Sequence, residues 1–392
     1  MARIPNYGEN GKEPSYRRCP VDLRKRITAN VIEGLLSEFT ARFATAAEID
    51  QWDTLVTANP NGGNLLQSAA FAAVKKNYGW DTQFVAFEGP DFTSYNLVLQ
   101  KSFPILGKFW YLIKGPDVSD VAQIPPMLAA LRSFAKRAKL NVFAAKIEPD
   151  IVSSDEAHAV LLGAGLVKVP DLQPNDNTAL LDISMESNEL LRKLHSRGRN
   201  AVRRAIREEV EVVRMDPTEE TMKTMYELMV GTITAKSNAT ARDFDYYRQF
   251  WTEFTSRGQG RFYFVFEDGV ASVGAFVINY GAKATYKDGG SLQKRNQYGD
   301  SHLVQWVAIN DMKELGAQEY DFCGTPPSDR LKDPTHPHHG LGLFKTSFSK
   351  TVTDFVGCYD LVLSPMRYKL WTLAGERVFR QLYTRRTGKQ FY

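Results

Sequence analysis

The strongest constraint on the fold is an order of segments that occurs twice along the 392-residue chain. Each time, three apolar segments of strand-like composition precede one segment with helical spacing and then one more strand. The first copy falls within residues 83–147 and the second within residues 261–324. Strands that alternate with longer helices are typical of layered α/β or α+β domains. The repeat therefore predicts two similar domains.

This order of elements resembles the GNAT acyltransferase fold, which holds the pyrophosphate of acyl-CoA on a loop at a helix N-terminus. The corresponding loop of the second copy is residues 296–301. It has Asn296 at its first position and Ser301 at its last small position, and Asp300 would repel a phosphate. The first copy has no comparable loop. We therefore expect an acyltransferase scaffold that does not hold CoA in the usual way.

Charge and composition restrict the setting in which the chain works. The formal charge is +4, and the basic residues concentrate in residues 192–207, which contain no acid, and 367–389, which contain only Glu376. Such stretches attract phosphate, nucleic acid or anionic lipid, although a solvated helix face accounts equally well for either one. Three widely spaced cysteines predict neither disulfides nor a zinc site. Without a signal peptide or a membrane-spanning apolar run, we expect a cytoplasmic protein.

Six segments carry a more specific pattern: residues 64–80, 111–116, 172–183, 190–212, 305–324 and 340–365. They include the sequences Leu-Ile-Lys-Gly-Pro, Leu-Arg-Lys-Leu-His-Ser-Arg-Gly-Arg, Tyr-Asp-Phe-Cys-Gly and Gly-Leu-Gly-Leu-Phe-Lys. In this order they resemble the Fem (FemABX) family of peptidoglycan-bridge aminoacyltransferases, over roughly residues 50–370. Many members carry a long helical-hairpin arm in the second domain. Residues 222–246 leave no room for it, so the chain is similar to the shorter, armless FemX-like members.

The resemblance implies an α/β (α+β) fold of two GNAT-like acyltransferase domains, with mixed sheets flanked by helices and no helical-hairpin arm. Domain 1 would comprise residues 41–177 plus 356–392 and bind the precursor, and domain 2 residues 178–355. Residues 1–40 would form an N-terminal extension. The implied reaction moves Gly, Ala, Ser or Thr from aminoacyl-tRNA to the stem-peptide amine of lipid II or UDP-MurNAc-pentapeptide. Aminoacyl-tRNA is then the co-substrate, and neither an organic cofactor nor a metal is required.

The resemblance also assigns residues that bind the precursor. Lys75 and Arg242 match family positions that hold its diphosphate, for which an Arg fork and a Lys point charge are suited. Tyr246 lies one helical turn after Arg242, and Tyr286 is a further substrate-binding candidate. The alternative is that Lys75 is an ordinary surface lysine and Arg242 a capping partner in an ion pair.

The catalytic candidates follow from the same comparison. Lys345, preceded by Phe344, matches a family lysine near the aminoacyl end of the tRNA, where a fixed cation would stabilise the oxyanion intermediate. The general base could be Glu148 or Asp288, or the substrate itself could assist the proton transfer without a protein base. The histidines at 336, 338 and 339 are better explained as part of a loop than as metal ligands.

The two basic stretches have separate expected partners. Arg197, Arg199, Arg203 and Arg204 would meet tRNA phosphates, in contacts that do not depend on sequence and weaken with salt. Residues 368–392 would either lie on the inner face of the cytoplasmic membrane as a peripheral contact or dock back on the first domain. Two other functions stay open: an acyl-CoA-dependent GNAT-type N-acyltransferase, and a non-catalytic protein that binds nucleic acid or a membrane surface.

Overall fold

The computed structural model describes residues 39–173, 176–236 and 241–387. The extension expected at residues 1–40 lies outside the described residues except for its last two. The described strands form sheets of seven, six and two strands. They are β1 (Thr40–Phe43), β2 (Asp81–Glu88), β3 (Thr93–Phe103), β4 (Gly107–Leu112), β5 (Val142–Ile147), β6 (Val167–Lys168), β7 (Asn177–Thr178), β8 (Leu180–Asp182), β9 (Val213–Met215), β10 (Gly260–Glu267), β11 (Val270–Tyr280), β12 (Lys283–Ser291), β13 (Glu319–Asp321), β14 (Thr353–Asp354) and β15 (Tyr359–Val362).

Helices cover the faces of the two larger sheets. They are α1 (Ala46–Asp50), α2 (Trp52–Thr57), α3 (Ala69–Asn77), α4 (Ile124–Arg137), α5 (Asp155–Gly163), α6 (Ser187–Lys193), α7 (Ser196–Arg207), α8 (Glu219–Lys236), α9 (Phe244–Thr255), α10 (Asp300–Glu314), α11 (His339–Ser349), α12 (Pro365–Leu370) and α13 (Glu376–Thr387). A π-helical segment, Trp371–Gly375, joins α12 to α13. Seven residues separate α8 from α9, so the chain has no helical-hairpin arm at this point.

The two larger sheets repeat one topology. The first has the order β1-β2-β3-β4-β5-β15-β6 and the second the order β8-β13-β12-β11-β10-β9. In each, one neighbouring pair is parallel, β4 with β5 and β12 with β13. Parallel neighbours need a crossover connection, which α4 and α10 supply. Every residue of β5 is buried, as expected for a central strand covered on both faces. The predicted α/β (α+β) fold with mixed, helix-flanked sheets is confirmed.

The chain passes between the sheets twice, and the two passages run side by side. Strand β7 pairs antiparallel with β14, Thr178 opposite Thr353, to make the two-stranded sheet. After the first passage β8 joins the second sheet beside β13, and after the return β15 joins the first sheet beside β5. The domain boundaries given above stay a prediction.

One apolar core spans both halves of the molecule. It contains Phe71 of α3 and Phe109 of β4 from the first half, together with Phe250 and Trp251 of α9 from the second. Helices α3 and α9 pack against each other within it. Burial of these aromatic side chains is the main stabilising contribution to the contact between the halves.

The C-terminal helices pack back on the first half. The Trp371 ring lies 4.8 Å from Phe103 and 5.6 Å from Phe109, and Phe379 lies 4.7 Å from Phe103. Tyr383 donates a hydrogen bond of 3.0 Å to the carbonyl of Tyr78. The sequence predicts two alternatives for residues 368–392, a membrane contact or docking on the first domain. Trp371, Phe379 and Tyr383 follow the second, because their side chains pack on the first half.

A buried lysine holds the ends of the parallel strands to the passage between the sheets. Lys114 follows β4 and is 2% exposed. Its Nζ lies 3.1 Å from Glu148, 3.5 Å from Asp150 and 3.7 Å from Asp176. Burial alone would lower the pKa of Lys114, but these carboxylates raise it above its ordinary value. Burial raises the pKa of Asp176 to about 7 although Lys114 opposes the shift.

We expect Lys114→Met to lower the free energy of unfolding by about 3–5 kcal/mol, because it leaves buried carboxylates without their cation. The loss should grow as the pH rises through 7, because Asp176, whose pKa is about 7 with Lys114 present, then ionises without that cation. Urea unfolding measures it. Lys193→Met is the control, since its ion pair with Glu189 is exposed and should be worth less than about 1 kcal/mol. Equal losses in the two variants would contradict the role given to Lys114.

Candidate active site

The two halves enclose a pair of adjoining cavities. The first has a volume of about 260 Å³ and the second about 230 Å³. Asn64 and Leu65 from the first half, with Thr285 and Asp321 from the second, line both. A pocket between two domains is a common place for a ligand site. The first cavity is also lined by Leu66, Gln173, Lys287, Cys323, Gly324, Thr325, His338, Leu341 and Lys345.

Lys345 lies on the wall of the first cavity. It belongs to α11 and is 5% exposed. Its Nζ donates hydrogen bonds of 2.7 Å and 2.8 Å to the carbonyls of Cys323 and Gly324, just after β13. Burial lowers the pKa of Lys345 to about 8, and the nearby Lys287 contributes in the same direction. At neutral pH this lysine therefore remains mostly cationic and its position is fixed.

The side chain of Phe344 packs between helices, unlike that of Lys345, which lines the first cavity. Its ring lies 4.9 Å from His302 and 5.8 Å from Phe348. Phe344 is not among the residues that line the two cavities. Its contacts hold α11 against α10, so the structure places Phe344 as a packing residue behind Lys345 rather than beside a substrate.

Lys75, Arg242 and Tyr246 come together where α3 meets α9. Helix α9 begins after Asp243, whose side chain accepts a 2.9 Å hydrogen bond from the Tyr246 backbone N–H, so Arg242 just precedes the helix. The Arg242 guanidinium lies 4.5 Å from the centre of the Tyr246 ring. Burial, together with the positive charge of Arg242, lowers the pKa of Lys75 to about 7. Three of the four residues predicted to bind the precursor thus form one cationic and aromatic cluster, which lies outside the two cavities.

Lys287 is a cavity residue that the sequence argument missed. In the pairing of β12 with β11, Tyr286 lies opposite Val277 and Asp288 opposite Phe276, so Lys287 is the extra residue of a bulge. Bulges redirect side chains and are frequent beside active sites. Lys287 lines the first cavity and its charge lowers the pKa of both Lys75 and Lys345. It therefore joins the two predicted cationic sites, and no residue pattern in the sequence signals the bulge.

Tyr286 and Asp288 occupy structural positions. The Tyr286 hydroxyl fills the space above Gly289, where a Cβ would approach it to 1.6 Å. Asp288 accepts a 2.9 Å hydrogen bond from the Trp251 indole and lies 3.4 Å from the Lys287 ammonium. Neither residue lines a cavity. The structure thus places Asp288 as a counter-ion of Lys287 and Tyr286 as a packing residue.

Glu148 lines neither cavity, although its partner Lys114 lines the second. It is 1% exposed, pairs with Lys114 and accepts a hydrogen bond from the Tyr111 hydroxyl. Asp321, which the sequence argument did not single out, lines both cavities instead. One of its oxygens accepts hydrogen bonds from the Cys323 N–H, at 2.7 Å, and from Thr178. Burial raises the pKa of Asp321, which is the direction a general base at neutral pH needs.

The arginine-rich helix α7 packs directly on α11, the helix of Lys345. A Cβ at Gly198 would lie 2.3 Å from the Ser347 carbonyl oxygen, so only glycine permits this approach. Arg197 and Arg199 bond to carbonyl oxygens, at 2.6 Å for Leu343 and 2.9 Å for Arg192. Arg204 pairs with Glu208 at 2.6 Å, and Arg203 is exposed. Arg197 thus bonds α7 to α11, and the exposed arginines form a basic surface on α7, the helix that packs on the helix of Lys345.

The loop that would hold CoA is filled by the protein's own carboxylates. Glu267 accepts hydrogen bonds of 3.1 Å and 3.0 Å from the backbone N–H groups of Asn296 and Gln297. Asp300 accepts one of 2.5 Å from Ser301 and lies 2.9 Å from Arg295. In the first half, α4 has proline at residues 125 and 126, which lack the N–H groups that bind phosphate.

The described residues contain no group of three or more His, Cys, Asp or Glu side chains placed to hold a metal ion. Within the same ranges, no helix is long and apolar enough to span a bilayer.

Comparison with known proteins agrees with this architecture. The chain consists of two α/β halves with one sheet topology that enclose the cavities. The FemAB family model matches residues 45–162 and 261–376, which is more than half of the chain. The chain belongs to the FemAB family, and the resemblance identified from its motifs is confirmed.

Individual relatives are distant but extend over most of the chain. The lipid II:glycine glycyltransferase of Staphylococcus aureus (strain MRSA252) is 24% identical over 399 residues, covering 81% of this chain and 92% of the relative. That of Staphylococcus haemolyticus (strain JCSC1435) is 24% identical over 397 residues, with the same coverage. The crystal structure of FemX superposes with a TM-score of 0.71 at 22% identity, covering 85% of this chain and 99% of FemX.

We expect Lys287→Ala to raise the pKa of both Lys75 and Lys345, because it removes a positive charge that lowers both. Titration of lysine side chains by NMR measures the two pKa values. Lys223→Ala, which removes an exposed lysine on α8, is the matched control and should leave both unchanged. Unchanged values in Lys287→Ala would contradict the connection between the two sites.

Proposed function

We propose that this protein transfers an amino acid from aminoacyl-tRNA to the side-chain amine of the stem peptide of a peptidoglycan precursor. The observation that carries the proposal is the pair of cations Lys345 and Lys287 on the wall of the first cavity between the halves. Lys75 and Arg242 form a second cationic cluster outside the two cavities, and Lys287 lies close enough to lower the pKa of Lys75. This arrangement suits two anionic substrates that must meet between the halves.

The cluster of Lys75, Arg242 and Tyr246 would bind the diphosphate of the precursor. Lys75 sits in a position where burial and neighbouring cations disfavour its own charge. A bound diphosphate would reverse that balance, because it supplies the negative charge that the cluster lacks. The guanidinium of Arg242 can form paired hydrogen bonds to phosphate oxygens.

In the first cavity, beside Lys345, the amine of the stem peptide would attack the ester carbonyl carbon of aminoacyl-tRNA. A C–N bond forms and the carbonyl oxygen becomes an oxyanion, which the Lys345 ammonium stabilises. The C–O bond to the ribose then breaks, and the proton lost by the amine passes to the departing ribose oxygen. The ester is already activated, so the step uses no organic cofactor or metal.

The general base is best sought at Asp321. Among the described residues it is the carboxylate that lines both cavities, whereas Glu148 and Asp288 are held by Lys114 and Trp251. Proton transfer through the substrate remains the alternative. Asp321→Asn should then reduce kcat at neutral pH while Glu148→Gln mainly reduces stability, and the reverse outcome would favour Glu148.

The tRNA would approach across α7, whose basic surface lies beside α11. Phosphate contacts to exposed arginines such as Arg203 would make the affinity for tRNA decrease with salt. Among Gly, Ala, Ser and Thr, we favour glycine as the donated residue, and lipid II over UDP-MurNAc-pentapeptide as acceptor. Both choices rest on the names of the staphylococcal relatives. A lipid-linked acceptor would bring the protein to the inner face of the membrane as a peripheral partner.

Acyl-CoA is the less favoured donor. The backbone N–H groups that would bind its pyrophosphate in the second half already bond to Glu267 and Asp300. Two prolines begin the corresponding helix of the first half. Direct measurement of CoA binding tests this donor.

The transfer itself can be measured with radiolabelled aminoacyl-tRNAs and either lipid II or UDP-MurNAc-pentapeptide. We expect label on one acceptor, and a loss of about 10²–10³-fold in kcat for Lys345→Met, since one electrostatic stabiliser of the oxyanion is removed. Lys350→Met, at the exposed end of the same helix, is the control and should retain activity. Circular dichroism establishes that both variants are folded.

No label on either acceptor from folded protein and intact tRNA would contradict the proposed reaction. Full activity of Lys345→Met would instead contradict the role of the lysine while leaving the reaction in place.

A further inference from the structure

One face of the first half carries an unusual set of exposed apolar side chains. In the part of the chain that the structure describes, the three most exposed large apolar residues are Ile105, Met366 and Leu373, at 94%, 81% and 73%. Leu370 is 56% exposed. Single exposed apolar side chains are common on any protein, but several that are grouped together indicate an interaction surface.

The four side chains lie on adjoining elements. Met366, Leu370 and Leu373 are spaced by four and three residues along the helical segment 365–375, whose opposite face inserts Trp371 into the core. The turn that holds Ile105 rests on this segment. Leu106 lies 3.6 Å from the position of a Cβ at Gly375, and its carbonyl is 3.5 Å from Arg367.

The surroundings of these four residues are basic. Lys369 and Arg377 are exposed on the same helical segment and its continuation, and residues 365–387 contain a single acid, the half-buried Glu376. On the neighbouring loop, Asn141 accepts a 2.5 Å hydrogen bond from Arg367, which brings the exposed Lys139 to the same edge. A basic rim around apolar side chains is complementary to an anionic lipid surface.

We infer that Ile105, Met366, Leu370 and Leu373, here called the lipid-facing patch, insert into the surface of an anionic phospholipid bilayer, with Lys139, Lys369 and Arg377 binding lipid phosphates. The helical segment lies in the plane of the interface, and its apolar side chains reach the boundary between headgroups and acyl chains. Trp371, Phe379 and Tyr383, which face the core, take no part.

This orientation connects the patch with the proposed diphosphate site, and in that respect the inference rests on the proposed function. The helices that carry the patch continue to Tyr383, whose hydroxyl bonds to the Tyr78 carbonyl. The Tyr78 ring packs on Tyr246 at 4.9 Å, within the cluster of Lys75 and Arg242. Tyr383 is thirteen positions after Leu370, which is about 20 Å along a helix. A protein lying on this face would therefore hold the cluster close to the headgroup layer, where a lipid-linked diphosphate is found.

The test uses the full chain and vesicles that contain no peptidoglycan precursor. Sedimentation compares vesicles of equal parts phosphatidylglycerol and phosphatidylcholine with vesicles of phosphatidylcholine alone. We expect binding to the anionic vesicles that decreases with added sodium chloride. The double substitution Ile105→Glu with Leu373→Glu should reduce the partition coefficient by about tenfold or more.

The matched control is Leu162→Glu with Val270→Glu, at side chains that are 53% and 59% exposed and lie outside the patch. This variant should bind as the unsubstituted protein does. All variants are compared by thermal unfolding, and their oligomeric state is measured by light scattering.

Equal binding of the patch variant and the control variant, or no binding of the unsubstituted protein to anionic vesicles, would overturn the inference. So would an unsubstituted dimer that the patch substitution converts to a monomer without any vesicle binding, because the patch would then join two copies of the chain. Since these vesicles hold no acceptor, failure of the proposed transfer reaction leaves this result unaffected. In the transfer assay, the patch variant should lose activity on lipid II in vesicles, whereas the control variant should retain it.

Discussion

The buried ammonium of Lys114, surrounded by the carboxylates of Glu148, Asp150 and Asp176, is the interaction on which the cleft depends. It joins the ends of the two parallel strands of the first sheet to the chain segment that passes to the second sheet. Desolvated charges are costly to bury and costlier to leave unpaired, so the four groups constrain one another strongly. This network fixes the segment that leaves the first half, while the aromatic core shared by α3 and α9 holds the two halves together. The cavities between the halves are a consequence of that fixed arrangement.

Two buried lysines of the candidate site differ from Lys114 in that their charge is disfavoured. Lys75 and Lys345 have lowered pKa values because burial and neighbouring cations disfavour their charge. Burying these charges reduces the stability of the folded protein, and destabilising residues of this kind are common where a ligand is bound. In the proposed reaction the missing negative charge comes from the substrates, a diphosphate at Lys75 and an oxyanion at Lys345. The cleft is then organised before either substrate arrives, which is the condition for effective electrostatic catalysis.

Much of this could be predicted from the sequence, and the limits have physical causes. The repeated order of strands and helix predicted the topology that the two larger sheets share, because apolar runs between turn residues report burial directly. Family motifs located Lys75, Arg242 and Tyr246. The role of Lys287 depends on a bulge, and Glu148, Asp288 and Phe344 face away from the cavities for reasons of side-chain direction that spacing does not encode. Asp321 stood within a recognised motif, but its exposure to both cavities depends on how the halves meet.

The central claim is that the cluster of Lys75, Arg242 and Tyr246 binds the precursor diphosphate. The affinity for UDP-MurNAc-pentapeptide, measured by calorimetry against pH, tests it most directly. Lys75 has a pKa of about 7 without ligand and must be protonated to bind phosphate. The dissociation constant should therefore rise about fivefold from pH 7 to pH 8 through this one proton. In Lys75→Arg, whose guanidinium stays charged over this range, the constant should be nearly independent of pH. The same pH dependence in both proteins, or unimpaired binding by Lys75→Ala, would contradict the account.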